Sequence, residues 1–244
     1  MANLLVTGKS GRMGQAVIRC CENDHSLTVT AQHDAGMNLS DEMAKADVTI
    51  DFTLHSFTAE LLHVAIDQRK PLVIGTTGHF TRERELIAEA AEKIAIVWAP
   101  NFSVGVNTLF WLTRKAASVL GNDFDMEVIE MHHRHKQDSP SGTARRLAEI
   151  LCEQADRDYN EDMRHGRQGD VGARTKLEIG MHALRGGDVV GDHTVVFAND
   201  GERVELTHKA SSRDTFAMGA LRAASWILDK PAGLYDMQDV LELR

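Results

Sequence analysis

Along residues 1–100, short apolar runs alternate with segments whose apolar positions recur every three or four residues. The runs at 4–7, 27–32, 48–52, 72–75 and 94–99 read as strands, and 13–21, 58–68 and 82–93 read as helices. The strands show almost no polar alternation, as in Leu4-Leu5-Val6 and Val48-Thr49-Ile50. A strand that is apolar on both sides is covered on both faces, as in a parallel sheet with helices above and below. The pattern predicts α/β structure with an N-terminal Rossmann-type, doubly wound parallel sheet.

Past residue 102 the pattern changes. Residues 107–120 and 141–156 have helical spacing, with Leu147, Ile150 and Leu151 marking the apolar face of the second, while 125–132, 177–184, 194–198 and 204–208 read as strands. Asn199, Asp200 and Gly201 suit a hairpin turn between the last two strands. The polar stretch 157–174 reads as a long loop, and the Ala-rich segment 216–228 as a closing helix that ends before Pro231. This half predicts a second, α+β domain with a mostly antiparallel open sheet.

A chain of 244 residues fits one large domain or two ordinary ones. Acidic residues outnumber basic ones by 36 to 27, a net charge of −9, which argues against nucleic acid or an anionic membrane surface as partner. An anionic small molecule then needs a locally basic pocket. Three cysteines, two of them adjacent (Cys20, Cys21), make no disulfide framework and fit a reducing, cytoplasmic compartment. No export signal and no apolar run long enough for a membrane span is expected.

Gly8, Lys9, Ser10, Gly11, Arg12, Met13 and Gly14 follow the first strand and open the first helix. Glycines let the backbone approach a pyrophosphate, and a helix N-terminus offers unpaired N–H groups and partial positive charge. The spacing is a variant, with Ser10 where many such loops have glycine, and a tight turn without ligand is the competing reading. Asp34 stands 20 residues beyond Gly14 at a strand end, where a carboxylate binds adenosine ribose hydroxyls. Ala35 follows it, so no adjacent arginine meets a 2′-phosphate; NADH is the expected preference, with Lys9 and Arg12 leaving NADPH usable. A solvated strand-end carboxylate is the bland alternative.

Residues 130–143 contain His132, His133, Arg134, His135 and Lys136 in succession, then Ser141-Gly142-Thr143 at a helix start. Three readings compete. A zinc site built on the histidines lacks nearby cysteine, and the Lys and Arg charges repel a cation, so no metal is expected. A solvated basic strand end is the second reading. The third is a site for a small carboxylate, supported by the helix start and by groups that titrate or donate protons. In extended backbone, alternation would put His132 and Lys136 on one face, with His133 and His135 pointing elsewhere.

With these residues in view, the chain resembles the 4-hydroxy-tetrahydrodipicolinate reductase (dihydrodipicolinate reductase) family over nearly its full length. The resemblance is carried by the loop 8–14, Ile50-Asp51-Phe52-Thr53, Gly75-Thr76-Thr77-Gly78, Asn101-Phe102-Ser103-Val104-Gly105, the Glu130 to Lys136 block, Pro140-Ser141-Gly142-Thr143, and His208 through Arg213 with Thr215-Phe216. It implies cofactor contacts from Gly8 to Met13, Asp34, Gly75, Thr76, Thr77, Ala99, Pro100, Asn101 and Phe102, although Pro100 offers no N–H. It implies His132 as general acid/base, Lys136 as proton donor, and His133, Gly142 and Thr143 as ligands of a substrate carboxylate. It also implies a dinucleotide-binding domain of residues 1–103 and 214–244, a substrate-binding and oligomerisation domain of 104–213, and a homotetramer built through the second sheet. The implied reaction is NAD(P)H-dependent reduction of 4-hydroxy-tetrahydrodipicolinate, a small dicarboxylate, in the diaminopimelate route to lysine. The alternatives are another amino-acid-pathway dehydrogenase, which needs a different constellation after residue 125, and a non-catalytic NAD(H)-sensing protein.

Overall fold

In the computed structural model, residues 1–243 are described. The chain begins β1 (Ala2–Thr7), α1 (Arg12–Cys21), β2 (Leu27–His33), α2 (Leu39–Met43), β3 (Val48–Asp51), α3 (Thr58–Gln68), β4 (Leu72–Ile74), α4 (Thr81–Ala91), β5 (Ala95–Trp98). It continues α5 (Val104–Leu120), β6 (Asp125–His132), α6 (Gly142–Ala155), β7 (Met163–His165), β8 (Ile179–Arg185), β9 (Gly191–Asn199), β10 (Glu202–Ala210), and closes with α7 (Asp214–Ile227), β11 (Gly233–Tyr235) and α8 (Met237–Val240). Two compact units result: Met1–Val104 together with the residues from Arg213 onward, and Gly105–Ser212.

The first unit holds a six-stranded sheet in the order β11-β5-β4-β3-β1-β2, with every pairing parallel. Alternate residues of its strands enter two separate cores. Leu4, Val6, Ile50 and Val97 pack with Val17 of α1 and Ala220 and Ala224 of α7, whereas Leu5, Leu72, Ile74 and Ile96 pack with Leu61 of α3 and Ile87 of α4. This double coverage explains the missing polar alternation. Because the strands are parallel, the turns after β1, β2, β3, β4 and β5 emerge at one end of the sheet, and the order reverses between β1 and β3, the place where such sheets bind nucleotides.

The second unit holds a five-stranded sheet in the order β10-β9-β6-β8-β7. It is mixed, with the longest pairing antiparallel: β9 runs antiparallel to β10 and β6, and β8 is parallel to both β6 and β7. The turn signal at 199–201 speaks only for the β9–β10 hairpin, while α6 lies between β6 and β8 and makes a parallel return possible. The stretch 157–174 also contains β7, whose three residues carry no alternation. Leu147, Ile150 and Leu151 of α6 pack with Val128, Met181, Val195 and Phe197. That covered face continues toward the end of β6 as Glu130 and His132, both buried. On the other face Ile129 and Leu184 are exposed.

Candidate active site

At the end of β1, Gly8 adopts φ +73°, and a Cβ there would meet the Phe52 carbonyl oxygen at 2.9 Å. A Cβ on Gly14 would lie 2.1 Å from the Gly8 carbonyl oxygen, and one on Gly75 2.1 Å from the Phe52 ring, so neither position admits a side chain without movement. Helix α1 starts after Gly11 with no side-chain cap and no acidic residue in its first turn. Its N-terminal dipole and amides are therefore open to an anion. A cavity of about 440 Å³, lined among others by Gly8, Gly11, His33, Asp34, Phe52 and Phe57, adjoins this turn. The Oδ2 of Asp34 accepts the Ser10 amide at 3.2 Å and also the Ser10 hydroxyl. Gln15 closes the loop by donating to the Lys9 carbonyl at 2.6 Å, and Arg12 is exposed. The glycine cradle, the uncapped helix and the strand-end carboxylate fit a dinucleotide.

Other expected cofactor residues divide by side chain and backbone. Met13 packs against the core, Ala99 and Phe102 are buried in it, and Thr76 is buried too. The side chains of Ala99, Phe102 and Thr76 are occupied inside the unit, leaving only backbone for a ligand, whereas that of Met13 is partly buried. Gly75 has no side chain, Thr77 and Pro100 are exposed, and the half-buried Asn101 accepts the Ser103 amide at 2.9 Å. What holds these turns together is Asp51, a residue outside the expected cofactor contacts. Fully buried, it accepts hydroxyls from Thr7 (2.6 Å), Thr53 (2.7 Å) and Thr76 (2.6 Å), joining the ends of β1, β3 and β4. Burial pushes its pKa up against the lowering by those hydroxyls. One acidic residue ending the strand Val48-Thr49-Ile50-Asp51, which lacks any other charge, is the available signal.

In the second unit the site is assembled by register. Glu130 lies opposite His193 of β9, His193 opposite His208 of β10, and His132 opposite Arg185 of β8. His132 Nδ1 is 2.6 Å from Glu130 Oε2. Arg185 donates to both Glu130 oxygens, each at 2.8 Å, and the Ser141 amide donates to Oε1 at 3.1 Å. Burial would raise the Glu130 pKa, but the bonds from His132, Arg185 and Ser141 hold it at about 2. Ser141 is the N-cap of α6, accepting the Ala144 amide, and its hydroxyl pairs with His193 Nε2 at 3.0 Å. The His193 ring lies 5.1 Å from that of His132, and burial followed by the charges of His132, His208 and Lys136 pushes its pKa down to about 3 despite Glu130.

Gly142 and Thr143 begin α6 directly after this cap, Gly142 with open space where a Cβ would be. The expected extended alternation through Lys136 does not occur. Strand β6 ends at His132, whose carbonyl accepts the Gly186 amide, and the Lys136 amide turns back to the His133 carbonyl at 3.1 Å. Lys136 nonetheless acts electrostatically on His193, and its Nζ is 2.9 Å from Asp138. The rings of His133 and His135, which alternation would separate from the cluster together, stand 6.3 Å apart. Arg185 and His193 have no local sequence signature, because only strand pairing brings them to His132. Among the described residues no group of three or more His, Cys, Asp or Glu is arranged to hold a metal ion, and no helix is long and apolar enough to cross a membrane.

The family model described as dihydrodipicolinate reductase, N-terminus, matches residues 2–102, and that described as dihydrodipicolinate reductase, C-terminus, matches residues 105–241. The chain belongs to the dihydrodipicolinate reductase family. A 4-hydroxy-tetrahydrodipicolinate reductase of Akkermansia muciniphila is 60% identical over 243 residues, covering 100% of this chain and 99% of the relative. One of Pseudomonas fluorescens is 47% identical over 268 residues, with 100% of both chains covered. Among solved structures, the dipicolinate-bound dihydrodipicolinate reductase from Paenisporosarcina sp. TG-14 superposes with a TM-score of 0.81 at 24% identity, covering 98% of each chain, which bears on the fold. Membership in this dihydrodipicolinate reductase family makes the protein an oxidoreductase of the Rossmann-type, NAD(P)H-using kind.

Proposed function

We propose that the protein reduces 4-hydroxy-tetrahydrodipicolinate to tetrahydrodipicolinate with NADH or NADPH, in the diaminopimelate route of lysine biosynthesis. The observation that carries this reading is the buried His132, held by Glu130 beside the start of α6, in a chain whose full-length relatives bear this reductase's name. When bound, the reduced nicotinamide supplies the hydride. Gly8 to Met13, Asp34, Gly75, Thr76, Thr77 and the segment 99–102 hold that cofactor, several of them through backbone alone. Asp34 favours NADH, because a carboxylate accepts ribose hydroxyls and repels a 2′-phosphate.

His133, Gly142 and Thr143 bind a substrate carboxylate, with the α6 N-terminus adding its dipole; each charge-assisted hydrogen bond contributes roughly 1.5–3 kcal/mol. Loss of the 4-hydroxyl as water gives a ring double bond conjugated with the C=N, and hydride added to that bond leaves negative charge on the nitrogen side of the substrate ring. Lys136 donates the neutralising proton and His132 serves as acid/base, a contribution of about 10² to 10⁴ in rate. The exposed Ile129 and Leu184 on the open sheet face support a homotetramer assembled through that face. A biosynthetic reductase with free cysteines fits the cytoplasm.

The test is NADH oxidation in the presence of freshly generated 4-hydroxy-tetrahydrodipicolinate. Turnover that depends on this compound supports the reading. Tight NADH binding without turnover supports an NAD(H)-sensing protein instead.

A further inference from the structure

Glu130 has no exposed surface, and four donor atoms converge on it: His132 Nδ1, both Arg185 Nη atoms and the Ser141 amide. A carboxylate paired bidentately with arginine is ionised and accepts only. His132 Nδ1 must therefore carry the hydrogen in that 2.6 Å bond, which leaves Nε2 as the nitrogen that gains and loses a proton. Room on that side is kept by Gly191, where a Cβ would lie 3.0 Å from His132 Nε2. The other titratable groups around the pair are Arg185 on β8, His193 on β9, His208 on β10, and Lys136 and Asp138 in the turn after β6.

We infer that Glu130 is a positioning residue for the reaction. Through Nδ1 it fixes the tautomer and the ring plane of His132. Through the Ser141 amide the same carboxylate ties down the start of α6, so that the acid/base and the proposed carboxylate ligands Gly142 and Thr143 keep a set spacing. The inference rests on the proposed role of His132. It goes beyond a buried ion pair serving the fold alone, because an ion pair needs only Arg185, whereas the two further bonds run to the proposed chemistry.

The experiment combines kinetics with two-bond ¹H–¹⁵N correlation spectra of the full-length protein. In the native protein His132 is expected as the Nδ1–H form. Glu130→Gln is expected to lower kcat about 10²-fold with NADH affinity unchanged, to displace the pH limb of kcat, and to mix the His132 tautomers. Glu130→Asp, which restores the charge, is expected to recover part of kcat. A native His132 protonated at Nε2 when neutral overturns the inference, as does a folded Glu130→Gln enzyme with native kcat and pH profile. If Glu130→Gln does not fold, the native tautomer decides the matter. Native turnover by His132→Ala sinks the proposed role of His132 instead, an outcome separate from the tautomer reading.

Discussion

His193 Nε2 lies 3.0 Å from the hydroxyl of Ser141, a residue 52 positions earlier, so a β9 side chain braces the cap of α6. The pair is buried, and His193 is accordingly kept neutral, with its pKa pushed down to about 3.

This has a consequence for stability. Below pH 6.5 the unfolded chain protonates this histidine while the folded one does not until about 3, so unfolding takes up a proton and stability falls as pH drops through that window. His208 is shifted in the same direction by burial, and Glu130, with its folded pKa at about 2, adds its own loss only below its ordinary value of 4.5. Between pH 6.5 and about 5, Tm should decline in the native protein and decline less steeply in His193→Gln. Parallel Tm profiles for the two would contradict the buried neutral histidine.

Lys136→Ala and His132→Ala should each lower kcat by about 10² to 10⁴. Calorimetric titration should show NADH affinity retained, because neither side chain belongs to the β1 turn or the Asp34 cavity. Near-native turnover in either variant removes that residue from the mechanism.

Asp34→Ala should lower kcat/KM for NADH by about 10- to 100-fold, the loss expected for charge-assisted hydrogen bonds of roughly 1.5–3 kcal/mol, while NADPH gains relative to NADH. Ser10→Ala should shift the ratio in the same direction more weakly, because Ser10 holds the Asp34 carboxylate through its hydroxyl and retains the amide bond. Equal kcat/KM for the two cofactors in the native enzyme would end the preference for NADH.

Two glycines should respond in opposite ways to a methyl group. Gly14→Ala puts Cβ 2.1 Å from the Gly8 carbonyl oxygen and should cost about 1–3 kcal/mol of stability together with NADH affinity, read by urea denaturation and titration. Gly142→Ala meets open space and should leave the urea midpoint intact, raising KM for the substrate alone. A destabilised Gly142→Ala would show that this glycine serves the fold.

The sheet of the first unit was readable because its strands carry their neighbours' requirement in their own composition: apolar on both sides means covered on both faces. The short elements α2, β11 and α8 have no such signature. Gly233-Leu234-Tyr235 has no strand pattern of its own and is extended because it pairs with β5. In the second unit the hairpin turn was visible in Asn199-Asp200-Gly201, but the parallel pairing of β6 with β8 was not, because a crossover leaves no local turn signature.

Taken alone, then, the amino-acid order determined a doubly wound sheet, a glycine turn with Asp34 downstream, and a basic block ending in a helix start. Those features depend on near neighbours: a period, a turn, the open amides of a first helical turn. Tertiary structure decided which groups act on which. Asp51 gathers three hydroxyls from three strand ends, and Glu130 gathers His132, Ser141 and Arg185. A buried carboxylate must collect donors wherever the fold supplies them, and Arg185 and His193 reach theirs through strand register, which no local pattern encodes.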